Sequence, residues 1–218
     1  MRTIIDEIDQ VVAGRALLNH PFYQAWTAGT LSREALRDYA AQYYRHVEAF
    51  PRYLSAVHSR CDDRFVRQAL LENLIEEERG PRNHPELWLR FAESLGVSRS
   101  EVQAATPRPT TEDLVTTFHR LAREGSVADG LAALYVYESQ MPAVSVAKID
   151  GLRRFYGFVN EDSYAFFSVH READVDHSRT IAGLLERSCS SRVESDVVGA
   201  ARQAAEALWS MLDGIPLG

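Results

Sequence analysis

The sequence predicts an all-α fold, one compact domain over residues 1–218 built as a bundle of about seven or more helices. Three observations carry this. Apolar residues recur at helical spacing through nearly the whole chain. Capping residues and Pro or Gly stops punctuate that pattern at helix-length intervals. No run alternates apolar and polar residues as a strand requires, and no internal repeat is detectable. With 218 residues, 45% of them hydrophobic, the chain can bury one sizeable core.

Ile4, Ile5, Ile8, Val11 and Val12 place a first helix over 3–12. Pro21 suits a first helical turn, so PFYQAWTAG forms a short helix that Gly29 ends, with His20 capping it or packing against it. Ser32 caps the next helix, which runs through ALRDYAAQYYRHVEAF until Pro51 kinks it or starts the following segment. Asp62-Asp63 opens RFVRQALLENLIEEER, with Gly80-Pro81 at its end. HPELWLRFAESLG is closed by Gly96, and Ser98 with Glu101 makes a capping box. ATPRPTTEDL, carrying Pro107 and Pro109, reads as a loop. Helices follow over 112–124, 126–156, 161–187 and 194–212.

Composition excludes several functions. Net charge is −7, which argues against a nucleic-acid partner, since such proteins carry a basic patch or stripe. No apolar run is long enough to span a membrane, and the N-terminus MRTIIDEIDQ lacks the apolar core of a signal peptide, so the expected location is cytoplasmic. Cys61 and Cys189 form no CxxC pair and read as free structural thiols. Of 24 basic residues only one is a lysine, Lys148, so a single primary side-chain amine is retained in a chain that otherwise uses arginine.

The chemistry concentrates in SYAFFSVHREADVDHS. His170, Asp174 and His177 stand at i, i+4 and i+7, within about 60° of one another on a helix face. Two imidazoles and a carboxylate at that spacing converge on one cation. LIEEERGPRNHPE adds Glu77 and His84, seven apart, although Glu76 and Glu78 flank Glu77 and spacing alone does not choose among them. LYVYESQMP adds Glu138 after an apolar run, where an unpaired carboxylate is costly unless it ligates a metal. Three histidines and three carboxylates suffice for two metal ions with open positions, a donor set suited to non-haem iron and O2 activation. Scarce cysteine disfavours structural zinc, and three imidazoles disfavour magnesium. His46, His58 and His119 have no partner at metal spacing and read as surface or half-buried residues.

The set Glu77, His84, Glu138, His170, Asp174 and His177, with NHPELWLRFAESLG around the second ligand, resembles the CADD-like family of haem-oxygenase-like dimetal oxidases, related in fold to the PQQ-synthesis protein PqqC and to TenA thiaminases. The resemblance runs from NHPFYQAW to the last ligand helix and matches all six ligand positions. It implies a haem-oxygenase-like bundle holding an iron–iron or iron–manganese pair, using O2 and an external reductant. It implies synthesis of p-aminobenzoate, the folate precursor, with the ring taken from Tyr23 and the amino group from Lys148. Tyr39 and Tyr137 match aromatic positions near the family's site and are expected to relay electrons or to pack the core. One geometric difficulty follows: Lys148 lies ten residues beyond Glu138, about 15 Å along a straight helix, unless Pro142 bends the chain or the lysine approaches from the side.

Two alternatives stay open in the sequence: a PqqC-like or TenA-like enzyme acting on an external small molecule, or a dimetal oxidase with an external substrate. The resemblance further implies a homodimer, and the family's name records binding to death domains of host proteins.

Overall fold

The computed structural model describes residues 2–189 and 194–218. Among them are eleven α-helices and two 3₁₀ turns, with no strand. The helices are α1 (Ile4–Gly14), α2 (Pro21–Ala28), α3 (Arg33–Arg60), α4 (Arg64–Glu78), α5 (His84–Ser94), α6 (Arg99–Ala104), α7 (Pro109–Arg123), α8 (Val127–Glu138), α9 (Met141–Phe155), α10 (Ala165–Ser188) and α11 (Glu194–Asp213). The all-α expectation holds, but the count is eleven and not about seven, and the one helix without a separate expectation comes from the span 126–156, which is two.

That division is the main departure from the sequence reading. The span 126–156 breaks at Ser139-Gln140, and Pro142 sits in the first turn of α9. A proline there removes only an N–H that a helix start leaves unpaired, so a second helix can start at this point. Three smaller differences have local causes. The helix expected to bend or end at Pro51 runs on through it to Arg60, 28 residues in all. Pro109 starts α7, so the loop before it is shorter than read. Residues 161–164 form a 3₁₀ turn ahead of α10.

Caps behave as residue chemistry dictates. Asp63 accepts from the amides of Phe65 and Val66, Ser32 from Ala35, and His20 Nδ1 from Phe22. Buried apolar side chains from every helix merge in one connected core, with Val102 the contribution of α6. Long α3 packs against α4, α5 and α7, α10 against α8 and α9, and α11 against α1, α7 and α8. At Gly151 of α9 a methyl group would stand 2.6 Å from Trp26 Cδ1, so glycine is what lets α2 press against α9. Trp26 Nε1 donates to the Lys148 carbonyl oxygen across that contact. Neither Cys61 nor Cys189 is in a disulfide. No helix among the described residues is long and apolar enough to cross a membrane.

Candidate metal centre

The centre is assembled from four helices. Glu77 closes α4 and His84 opens α5. The turn between them reverses through Gly80, whose φ of +80° is the left-handed conformation glycine adopts without strain. Asn83 caps α5 by accepting from Glu86 N and donates to the Gly80 carbonyl, fixing the turn. Glu77 Oε2 and His84 Nδ1 thereby come within 2.7 Å. Yet His84 Nδ1 makes no aligned hydrogen bond. A buried imidazole nitrogen and carboxylate oxygen this close can serve as two ligands of one cation. Helix periodicity resolves the choice left open in the glutamate run: Glu77 is buried, while Glu76 and Glu78 on either side are exposed.

His170 enters from α10. Its Nδ1 lies 2.7 Å from the Phe166 carbonyl, which only accepts, so Nδ1 carries the proton and Nε2 is left as a ligand nitrogen. Ligand atoms of Glu77, His84 and His170 all lie within 4.8 Å of one another, and this group is able to hold a metal ion. One turn on, Asp174 is buried and its Oδ1 lies 3.6 Å from His177 Nδ1, while His177 Nε2 lies 3.1 Å from Glu76. Glu138, the last residue of α8, receives a hydrogen bond from Asn73 Nδ2 at 2.7 Å. Asn73 is a participant the sequence reading missed; its position four residues before Glu77, on the same face of α4, was the available signal.

Five buried atoms here lack any hydrogen-bond partner among the described residues: Asn73 Oδ1, His84 Nδ1, Glu138 Oε2, Asp174 Oδ2 and His177 Nδ1. Orphaned carboxylate oxygens beside three imidazoles fit divalent cations and fit little else. The electrostatics agree. Burial and the Asp174 charge push the Glu138 carboxyl up to about 8. Burial also acts to raise Glu77, but His84, His170 and His177 outweigh it and hold the carboxyl below its usual range. Burial acts to lower His177, but Asp174 and Glu138 lift it to about 9.

Beyond two rings in series lies a second cluster. Phe166 stacks on His170 with centroids 4.1 Å apart and meets Trp88 at 4.8 Å; Trp88 meets Tyr39 at 5.7 Å. Lys148, 2% exposed, donates from Nζ to Tyr39 Oη at 2.6 Å, and the Tyr39 and Tyr23 hydroxyls are 3.3 Å apart. Rings of Tyr23, Trp26, Tyr39, Tyr43, Trp88 and Phe167 surround Nζ at 4.8–5.7 Å. Tyr137 is buried beside Tyr43, which stacks on Tyr39 at 5.1 Å. The α8–α9 break answers the distance difficulty: Lys148 approaches from a separate helix. His46, read as surface or half-buried, is instead wholly enclosed by rings that include Phe118 and Tyr137.

Burial alone lowers the Lys148 ammonium well below the usual lysine range, which leaves a neutral, nucleophilic amine. The unfolded chain binds this proton more tightly than the folded one, so stability contributed at this position increases as pH rises toward the usual lysine value. Lys148→Met is expected to stabilise the metal-free protein at pH 7 by about 1–2 kcal/mol. Urea midpoints should show that advantage shrinking between pH 7 and pH 10; a constant difference would mean Lys148 is protonated in the fold.

The family model described as TENA/THI-4/PQQC family matches residues 9–212. The 4-aminobenzoate synthase of Chlamydia muridarum is 46% identical over 210 residues, 96% of this chain and 88% of that protein. The 4-aminobenzoate synthase of Nitrosomonas europaea is 44% identical over 223 residues, 98% of this chain and 91% of that protein. A CADD-like protein of unknown function from Nostoc punctiforme superposes with a TM-score of 0.79 at 19% identity, covering 97% of this chain and 95% of its own. A domain from Shewanella denitrificans with a heme oxygenase-like fold gives 0.78 at 18%, covering 97% and 88%. At these identities the two structures establish the haem oxygenase-like fold and nothing further.

Proposed function

The chain belongs to the TENA/THI-4/PQQC family, and from that premise we propose that it is a 4-aminobenzoate synthase, an O2-dependent dimetal oxygenase whose ring comes from its own Tyr23 and whose amino nitrogen comes from Lys148. The observation that carries the reading is the buried chain Tyr23–Tyr39–Lys148, linked to the carboxylate–histidine group through the rings of Trp88 and Phe166. A phenol and an uncharged amine joined through one hydroxyl are the two halves of the product.

Glu77, His84, Glu138, His170, Asp174 and His177 would hold two iron ions, or iron and manganese, and the pair when bound supplies O2 activation with electrons from an external reductant. The chain's own residues do the rest. Tyr39 orients both the Tyr23 phenol and the Lys148 amine and can pass a proton between their heteroatoms. Trp88, Phe166 and Phe167 keep water from the space between the two clusters, which favours reaction of the held phenol over hydrolysis of whatever forms there. Tyr43 and Tyr137 line a phenol column from the acidic group toward Tyr39, a path for single electrons. A homodimer is the proposed assembly.

A TenA-like hydrolysis would need a thiol at the site. Cys61 is at the C-terminus of α3 with Sγ directed to the Asp63 carbonyl, apart from every centre residue named above.

The test uses purified chain loaded anaerobically with ferrous iron, desalted and assayed for metal. About two metals per chain, followed by 4-aminobenzoate on adding O2 and a reductant with no organic substrate, is the expected result. Metal without product would move the substrate outside the chain; no bound metal would overturn the ligand assignment.

A further inference from the structure

We propose that the cleft between α4 and α10 is the mouth by which divalent cations reach the centre, and that Glu76 at its edge is the carboxylate that captures them. The inference rests on the dimetal reading above. A cavity of about 220 Å³ opens between these helices, walled by Ala69, Leu70 and Ile181 and bordered inside by Asn73 and His177. Asn73 touches the centre directly through its bond to Glu138. Its other polar atom, Oδ1, is buried without a hydrogen-bond partner. Outside, Glu72 and Glu76 stand one turn apart on α4, and the Glu76 side chain is 53% exposed.

These groups form a graded series of oxygens. A hydrated divalent cation sheds water reluctantly, and the barrier falls when each lost water is replaced by another oxygen. Here the replacements run inward: the solvated Glu76 carboxylate, the Asn73 amide oxygen, then the unpartnered Glu138 Oε2 and Asp174 Oδ2. Apolar walls narrow the passage and concentrate the field of the two glutamates at its mouth. Glu76 also holds His177 Nε2 at 3.1 Å. His177 Nδ1 is buried without a hydrogen-bond partner, 3.6 Å from Asp174 Oδ1, so Nδ1 is the nitrogen free for a cation while Glu76 holds the ring from outside by Nε2. Being half exposed, it can swing aside without losing buried contacts.

The experiment follows uptake of ferrous iron alone, and separately manganous ion alone, by the anaerobic full-length chain in a stopped-flow chelator competition. Glu76→Gln is expected to slow uptake about three- to tenfold, to weaken its dependence on ionic strength, and to reach the same final metal content as the parent. Ala69→Phe, which fills the cleft without touching charge, should slow uptake while leaving the salt dependence intact. Parental rates in both variants would overturn the mouth. Reduced final content in Glu76→Gln would make Glu76 a resident ligand and overturn its capture role. A parent that binds no metal would sink the dimetal reading itself, an outcome distinguishable from both.

Discussion

Tyr23→Phe, loaded with iron and exposed to O2 and reductant, is expected to bind as much metal as the parent and to form no 4-aminobenzoate, a loss of at least about 100-fold. The argument is one of isolation. Tyr23 is 1% exposed, and the only hydrogen bond its hydroxyl makes among the described residues is the 3.3 Å contact with Tyr39. Deleting one oxygen there removes a single neutral hydrogen bond, worth about 1 kcal/mol, and leaves ring packing against Phe22 and Trp26 in place. Fold and metal site therefore survive, and a product deficit reports chemistry at the phenol. Peptide mapping gives the second readout: in the parent, turnover should change the mass of the peptide holding Tyr23, and in the variant it should not. Normal product from the variant would show that the ring has an external source.

Glu138→Gln should separate metal binding from stability in opposite directions. The side chain keeps its shape, and Asn73 can still donate to the amide oxygen. In the metal-free protein, burial and Asp174 raise this carboxyl to about 8, above its value in the unfolded chain. For a raised carboxylate the sign is fixed: stability is fully present below the unfolded value and is lost as pH rises to about 8. Glutamine does not titrate, so the variant's advantage should grow between about pH 4.5 and pH 8 and then stay level, reaching about 2–4 kcal/mol. Metal affinity should fall at least about tenfold, because an anionic oxygen ligand has become a neutral one. Urea unfolding of the chelated protein across pH, with metal counted after loading, checks both halves. A variant less stable than the parent at pH 8 would mean that Glu138 is stabilised by partners other than a cation. His177→Ala should lose metal as well, together with product formation.

Both experiments are accessible because so much of the site could be read from the chain. Periodicity places His170, Asp174 and His177 on one face of α10, and the apolar run before Glu138 marks that carboxylate as buried. Lys148, the one lysine among 24 basic residues, stands out in the sequence by itself. Helix, cap and apolar face are local properties, governed by residues a few positions apart, and a linear sequence carries them fully.

What the sequence did not carry was the relation between helices. Which glutamate of the run 76–78 turns inward depends on how α4 meets α5 and α10, and the fold selects Glu77. Asn73 became visible only when α8 delivered Glu138 against it. Lys148 reaches Tyr39 from a helix separate from that of Glu138, and the unbroken helical pattern through Ser139-Gln140 conceals where one ends and the next starts. Enclosure of His46 likewise arises from rings on α7 and α8, distant in sequence. The residue types determined which helices form and what chemistry they can bring; tertiary packing alone decided the distances between them, because those are set by side chains that meet across long loops and leave no periodic trace in the chain.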